Sequence, residues 1–97
     1  MKHAFYLSKF PQACDFPTLV SLIGSQDALL LMQDGVLAAL KDSAAHQYLA
    51  TAEHSVYALC EDLAARGLVG QISHNITLID YTGFVALTEK HPQQIAW

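Results

Sequence analysis

Charge is what this sequence has least of. Only 14% of its 97 residues are Asp, Glu, Lys or Arg, against about 25% in an average soluble domain. The five basic residues, Lys2, Lys9, Lys41, Arg66 and Lys90, are scattered along the chain. Without a basic patch, no direct nucleic-acid binding is expected. No apolar run approaches the ~18–20 residues of a spanning helix, because Asp34, Gly35 and Lys41 interrupt the best candidates, so no membrane span is expected. A basic start followed by an apolar stretch and a cleavage site is also missing, and secretion is therefore not expected. Cysteine is sparse: Cys14 and Cys60 lie far apart with no CxxC. A lone disulfide is open to such a chain, but two reduced thiols in a cytoplasm fit it better. His3, His46, His54, His74 and His91 form no HxH, HxxH or HExxH spacing, so no metal is expected. GxGxxG and Walker motifs are missing too, and no nucleotide or other cofactor is expected.

What the chain has is apolar surface. Hydrophobic residues make up 53% of it and the net charge is −4 with neutral histidines. A chain of this length is expected to form one domain over residues 1–97. So little charge on so small a body implies a surface partly covered by other subunits.

The order of elements is legible from periodicity. Residues 2–7 (KHAFYL) form an apolar run read as a first, central strand, and 8–14 a loop broken by Pro11. Asp15 is an N-cap, Pro17 fits a first helical turn, and Phe16, Leu19, Val20 and Ile23 repeat at helical spacing up to Gly24. Residues 28–32 (ALLLM) show no polar alternation and are too short for a buried helix, so they read as a strand covered on both faces. Asp34-Gly35 leads into a short helix over 36–41, and 43–54 reads as a loop with one helical turn presenting Tyr48 to the core. Then come a strand at 55–59, a helix at 61–66 capped by Gly67, and a strand at 75–79. Asp80 caps a last helix over 81–91, with Tyr81, Phe84, Val85 and Thr88 on one face. Pro92 ends it, and 95–97 is expected to add an edge strand. Strand and helix alternate, so the expected fold is α/β: a small three-layer sandwich around a mostly parallel sheet of four or five strands.

Few residues carry chemistry. Cys60 is the main candidate, because it stands where a strand feeds a helix and the helix start favours a thiolate. Glu61 and Asp62 follow it and oppose that charge, and a small buried side chain is the competing reading. Cys14 is expected to be an exposed, unactivated thiol. Most histidines, His74 included, are read as surface or loop residues. Gln33, Asp34, Gly35 and Val36 lie at the carboxyl end of a strand, where open α/β sheets place their sites. Asp34 and Gly35 can shape a shallow site or subunit contact; relief of a tight turn is the simpler account of Gly35. Trp97 docks either on its own sheet or on a partner.

Several stretches resemble the TusB/DsrH family of sulfur-relay proteins: 30–36 (LLMQDGV), 56–67 (VYALCEDLAARG), 70–73 (GQIS), 79–84 (IDYTGF), Leu87-Thr88 and 91–97 (HPQQIAW). GQIS, IDYT and the final Ile-Ala-Trp are more similar to the TusB branch, and residues 8–18 match less well. The resemblance implies a DsrEFH-like fold and a cytoplasmic place in tRNA wobble-uridine 2-thiolation. It implies assembly with TusC-like and TusD-like chains in a heterohexamer, which hands persulfide sulfur to a further carrier and then to a tRNA thiouridylase. In that relay the sulfur-bearing cysteine belongs to the TusD-like chain, and a TusB-like chain is a non-catalytic partner. DsrH-type members carry a cysteine in their first helix, at a position that falls near Val20 here and so does not carry over. Cys60 aligns with the strand-to-helix turn that holds the active cysteine of TusD-like chains, which leaves a persulfide-carrying variant as the alternative.

Overall fold

The computed structural model describes residues 3–50, 54–73, 75–91 and 93–97. Five parallel strands form one sheet in the order β4-β3-β2-β1-β5. They are β1 (His3–Leu7), β2 (Ala28–Leu31), β3 (Ser55–Leu59), β4 (Thr77–Ile79) and β5 (Gln93–Ala96). The helices are α1 (Phe16–Leu22), α2 (His46–Leu49), α3 (Cys60–Ala65) and α4 (Tyr81–Lys90). The expected α/β class and parallel sheet are what the chain adopts.

Strand order dictates where the helices lie. From β1 through β4 each strand is laid down beside the last in one direction, and α1, α2 and α3 all cover one face. There Phe5, Leu7, Leu29, Leu31, Val56 and Ala58 meet Phe16, Leu19, Leu49 and Leu63. The chain then crosses back from β4 at one edge to β5 at the other, and right-handed crossover puts its helix, α4, on the opposite face. That second core is smaller: Ala28, Leu30 and Leu87, with Tyr6, Met32, Tyr57, Ile79 and Phe84 packed on it. β2 has every residue buried, because it sits in the middle with both faces covered. This is why its sequence shows no alternation. β1 is interior, between β2 and β5, rather than central.

Local chemistry fixes the element ends. Asp15 accepts the Thr18 N–H at 3.3 Å and the Thr18 hydroxyl at 2.7 Å, capping α1 as expected. That helix stops at Leu22, where Ile23 turns extended, so Gly24 is not its cap. α3 does end on a glycine: Gly67 has φ 66°, its N–H reaches Ala64 O, and the Leu68 N–H reaches Leu63 O. These two bonds are the Schellman pattern that left-handed glycine permits. Asp80 caps α4 by accepting the Gly83 N–H at 2.8 Å. Asp80→Ala is expected to cost ~0.5–2 kcal/mol, measurable as a lower urea midpoint with an unchanged slope.

Five local expectations are corrected. The segment after β2 is not a helix over 36–41 but a 3₁₀ stretch, Gln33–Ala39, that starts earlier and buries Gly35, Val36, Ala38 and Ala39. It leads into a short antiparallel link, Leu40 with Ile72, flanked by Lys41 N–H to Gln71 O and Ser73 N–H to Ala39 O. The helical turn expected in 43–54 is α2, yet it sends Leu49 rather than Tyr48 into the core; Tyr48 stays exposed with its ring edge-on to Phe16. α4 buries Leu87 and half-buries Phe84, while Tyr81 and Val85 face out. A helix lying over Leu30 has to present Phe84 and Leu87, three residues apart, to the sheet. β4 begins at Thr77, since Asn75 is spent on polar contacts to Ser73, His46 and the Leu49 carbonyl. β5 begins at Gln93, earlier than expected; Lys2 and Pro92 lie outside the described residues.

Candidate functional site

The carboxyl ends of β2, β3 and β4 meet at one edge of the sheet. β3 passes directly into α3, with Leu59 extended at the N-cap position and Cys60 as the first helical residue. Cys60 is half-buried and unpaired with any other cysteine. The two carboxylates after it are engaged elsewhere. Glu61 accepts the N–H of Tyr81, at the head of α4, at 3.0 Å. Asp62 accepts the N–H of Gln33 at 2.6 Å. Gln33 has φ 50°, a left-handed conformation unusual for a residue with a side chain. Asp62 thus fixes a strained turn that starts the 3₁₀ stretch.

Arg66 closes the network. Its Nη2 donates to Asp34 Oδ1 at 2.8 Å and its Nη1 to the Asp62 carbonyl at 3.0 Å. The Arg66 and Asp34 side chains are 31% and 42% exposed, so the pair contributes at most ~1 kcal/mol. Its consequence is positional: the cation that the described contacts bring to this edge is already held by two oxygens. Glu61 and Asp62 keep negative charge beside Cys60, and α3 has only six residues to supply a dipole. The site can hold a thiol in a fixed place. It offers that thiol no base and no free cation among the described contacts.

Asp34 and Gly35 do different work from that expected. Asp34 is the Arg66 partner. Gly35 relieves no turn, as its φ is not positive. It is packed against β1, and a Cβ there would stand 2.2 Å from the Leu7 carbonyl oxygen. The reason for glycine is close approach of two backbones.

Cys14 is half-buried rather than exposed and donates its thiol to the Pro11 carbonyl at 3.5 Å. Burial pushes that thiol up, against the pull of Lys9 and a hydrogen bond from Trp97. It is a thiol kept protonated, so it lacks activation, as the sequence suggests. It lies on a groove of about 520 Å³ walled by Pro11, Phe16, Pro17, Leu37, Leu40 and Tyr48. Trp97 docks on its own sheet: its N–H donates to Tyr6 O at 2.8 Å and its ring packs on the larger core.

The histidines depart most from expectation. His54 and His91 are buried, and His3 pairs its Nδ1 with Asp27 at 3.3 Å. They gather at the amino ends of the strands, opposite Cys60. Short spacing cannot reveal such a group, because each histidine precedes or opens a different strand. His74 lies outside the described residues. No helix among the described residues is long and apolar enough to cross a membrane.

Residues 9–94 match the family model described as "DsrH like protein". The chain belongs to this DsrH-like family. Two similar relatives are each called "Protein TusB". One, from Serratia proteamaculans (strain 568), is 53% identical over 93 residues, 96% of this chain and 98% of that protein. The other, from Escherichia coli (strain K12), is 54% identical over 91 residues, 94% of this chain and 96% of that one. Among solved structures, Tm0979 from Thermotoga maritima is 28% identical with a TM-score of 0.64, covering 90% of this chain and 92% of its own. The ychN protein from E. coli superposes with a TM-score of 0.77 at 14% identity over 100% of both chains, which shows a shared fold. The DsrH-like match covers β2, β3, β4 and all four helices, Cys60 included, and leaves out β1 and the end of β5.

Proposed function

We propose that this DsrH-like chain is a non-catalytic subunit of a cytoplasmic sulfur-relay complex. In that complex it assembles with TusC-like and TusD-like chains into a heterohexamer that passes persulfide sulfur toward 2-thiolation of the tRNA wobble uridine. The supporting observation is the identity of more than half the aligned residues with proteins called TusB, over nearly the full length of both. The geometry agrees with a structural part. Cys60 is followed by Glu61 and Asp62, and Arg66 is engaged by Asp34. Apolar side chains left in solvent, among them Leu22, Tyr81 and Val85, give partner chains something to cover.

Co-expression with TusC-like and TusD-like chains tests assembly: the chain is expected to co-purify with both. A soluble monomer that ignores them would overturn the proposal. The second reading makes Cys60 a carrier, and its place at the end of β3 favours that. Its thiolate would attack the terminal sulfur of a donor persulfide, forming a Cys60 S–S bond and releasing the donor thiolate. Cys60→Ser in the intact complex separates the two. Thiolated tRNA is expected to stay near the wild-type level, with a stability change no larger than the ~1–3 kcal/mol of an unpaired buried hydroxyl. Loss of thiolation with the complex intact would make Cys60 a relay station.

A further inference from the structure

The edge of the sheet opposite Cys60 holds a group of side chains that the relay reading leaves unused. Asp27, just before β2, is the hub. Its Oδ1 accepts the His3 N–H at 2.9 Å and the His3 ring at 3.3 Å, and its Oδ2 accepts the Gly24 N–H at 2.8 Å. Burial would raise this carboxyl, but these hydrogen bonds outweigh it and hold it below the usual range. His54 lies at the same edge as the residue before β3. It is 7% exposed, and its Nε2 is buried with no hydrogen-bond partner among the described residues. His91, before β5, donates Nδ1–H to the Leu87 carbonyl at 2.9 Å. A polar cavity of about 430 Å³ opens beside them, walled by Ser25, Asp27, Ser55 and His91 among others.

We propose that His54 is an acid-operated latch: neutral and buried it holds the amino end of β3 against β2, and protonated it turns out to solvent and frees that end. A buried imidazole with an unpaired nitrogen has no acceptor for the proton it would gain. Asp27 is the nearby anion that attracts an imidazolium, but its oxygens already serve three donors. Burial pushes His54 down from its ordinary value, and Asp27 only partly offsets this. Among the described residues the other titratable groups at this edge are His3, Tyr57 and His91; Lys2 adjoins His3 and Glu53 adjoins His54 in the sequence, and both lie outside the described residues. The unfolded chain binds the proton first, so the latch contributes fully above the ordinary histidine value of about 6.5. Its contribution is lost as pH falls below that value toward the lower folded one. Ser55, which pairs with Ala28, is the first residue freed.

The test is an NMR titration of the His54 ring, with amide exchange at Ser55 and Val56 and urea unfolding, from about pH 7.5 to 5. His54 is expected to titrate below its ordinary value, with Ser55 and Val56 opening in step. The unfolding constant should rise by up to about tenfold per pH unit, the limit for one proton. His54→Leu should flatten that dependence, and Glu53→Gln should leave it in place. An ordinary His54 titration, an unchanged slope in His54→Leu, or a slope abolished by Glu53→Gln would each overturn the proposal. If His54→Leu fails to fold, His54→Gln replaces it, and the ring titration of the unaltered chain decides in any case.

Discussion

Gly35→Ala should be strongly destabilising. The added Cβ would sit 2.2 Å from the carbonyl oxygen of Leu7, 2.8 Å from its carbonyl carbon and 3.1 Å from its Cγ. The first two atoms are backbone of an interior strand. Leu7 pairs in register with Leu31, and its carbonyl also accepts the Met32 N–H at 3.0 Å. Relief therefore demands moving either β1 or the 3₁₀ stretch, and the latter is pinned at its start by Asp62. The loss should reach or exceed the ~1–3 kcal/mol of ordinary overpacking, a large share of a typical ~5–15 kcal/mol total. Gly70→Ala is the matched control, because a Cβ there meets nothing within 4 Å. Urea unfolding of the two variants checks the contrast. A Gly35→Ala midpoint equal to that of Gly70→Ala would show that the approach of Leu7 and Gly35 is not tight.

The second large effect is at Leu87. One face of the sheet is covered by three helices and the other by α4 alone, whose fully described inward contacts centre on Leu87 and Phe84. Leu87 is 7% exposed and packs with Ala28 and Leu30 of β2. Leu87→Ala removes most of that side chain, and the expected cost is ~2–5 kcal/mol. The loss should be local in its first stage. Amide exchange should accelerate along α4 and at Tyr6, whose ring meets Phe84 edge-on at 5.8 Å. The opposite core around Leu29, Leu31 and Leu63 should keep its protection until global unfolding. A cost below ~1 kcal/mol, roughly the worth of a single buried methylene, would mean that α4 is held by something other than this contact.

These sites show where sequence reasoning reaches and where it stops. A strand buried on both faces announces itself, since ALLL leaves no polar position and Asp34-Gly35 bounds it. Caps at Asp15, Asp80 and Gly67 are equally legible, because each satisfies backbone groups within its own turn. Gly35 was identifiable as special but not for its reason, since its neighbour is Leu7, nearly thirty residues earlier in the chain. Tyr48 and Leu49 are adjacent, and only the docking of a four-residue helix decides which one goes inside. On α4 the apolar positions run most of the way round, so periodicity allows two faces. The sheet selects the one with Phe84 and Leu87. At the candidate site, Cys60 is where its strand-to-helix position places it. What Glu61, Asp62 and Arg66 do there depends on partners from the β2 and α4 ends. The histidine group is the extreme case: its members come together only because parallel strands align their starts.

The place of β5 bears on how the chain reaches this state. β1 precedes β5 by about ninety positions in the chain, and its free side is filled by β5, with His3 opposite Gln93 and Tyr6 opposite Ala96. Until the four residues of β5 exist, β1 is an open edge: a row of unsatisfied amides and carbonyls beside apolar Phe5 and Leu7. Every nascent or truncated chain therefore carries a strand-sized template for pairing with a neighbour. Closure of that edge needs a contact spanning about ninety positions, the kind that forms late because loop entropy opposes it. Stop codons or nicks just before Gln93 should thus yield aggregating chains even though β1 to β4, all four helices and the Cys60 edge are already encoded.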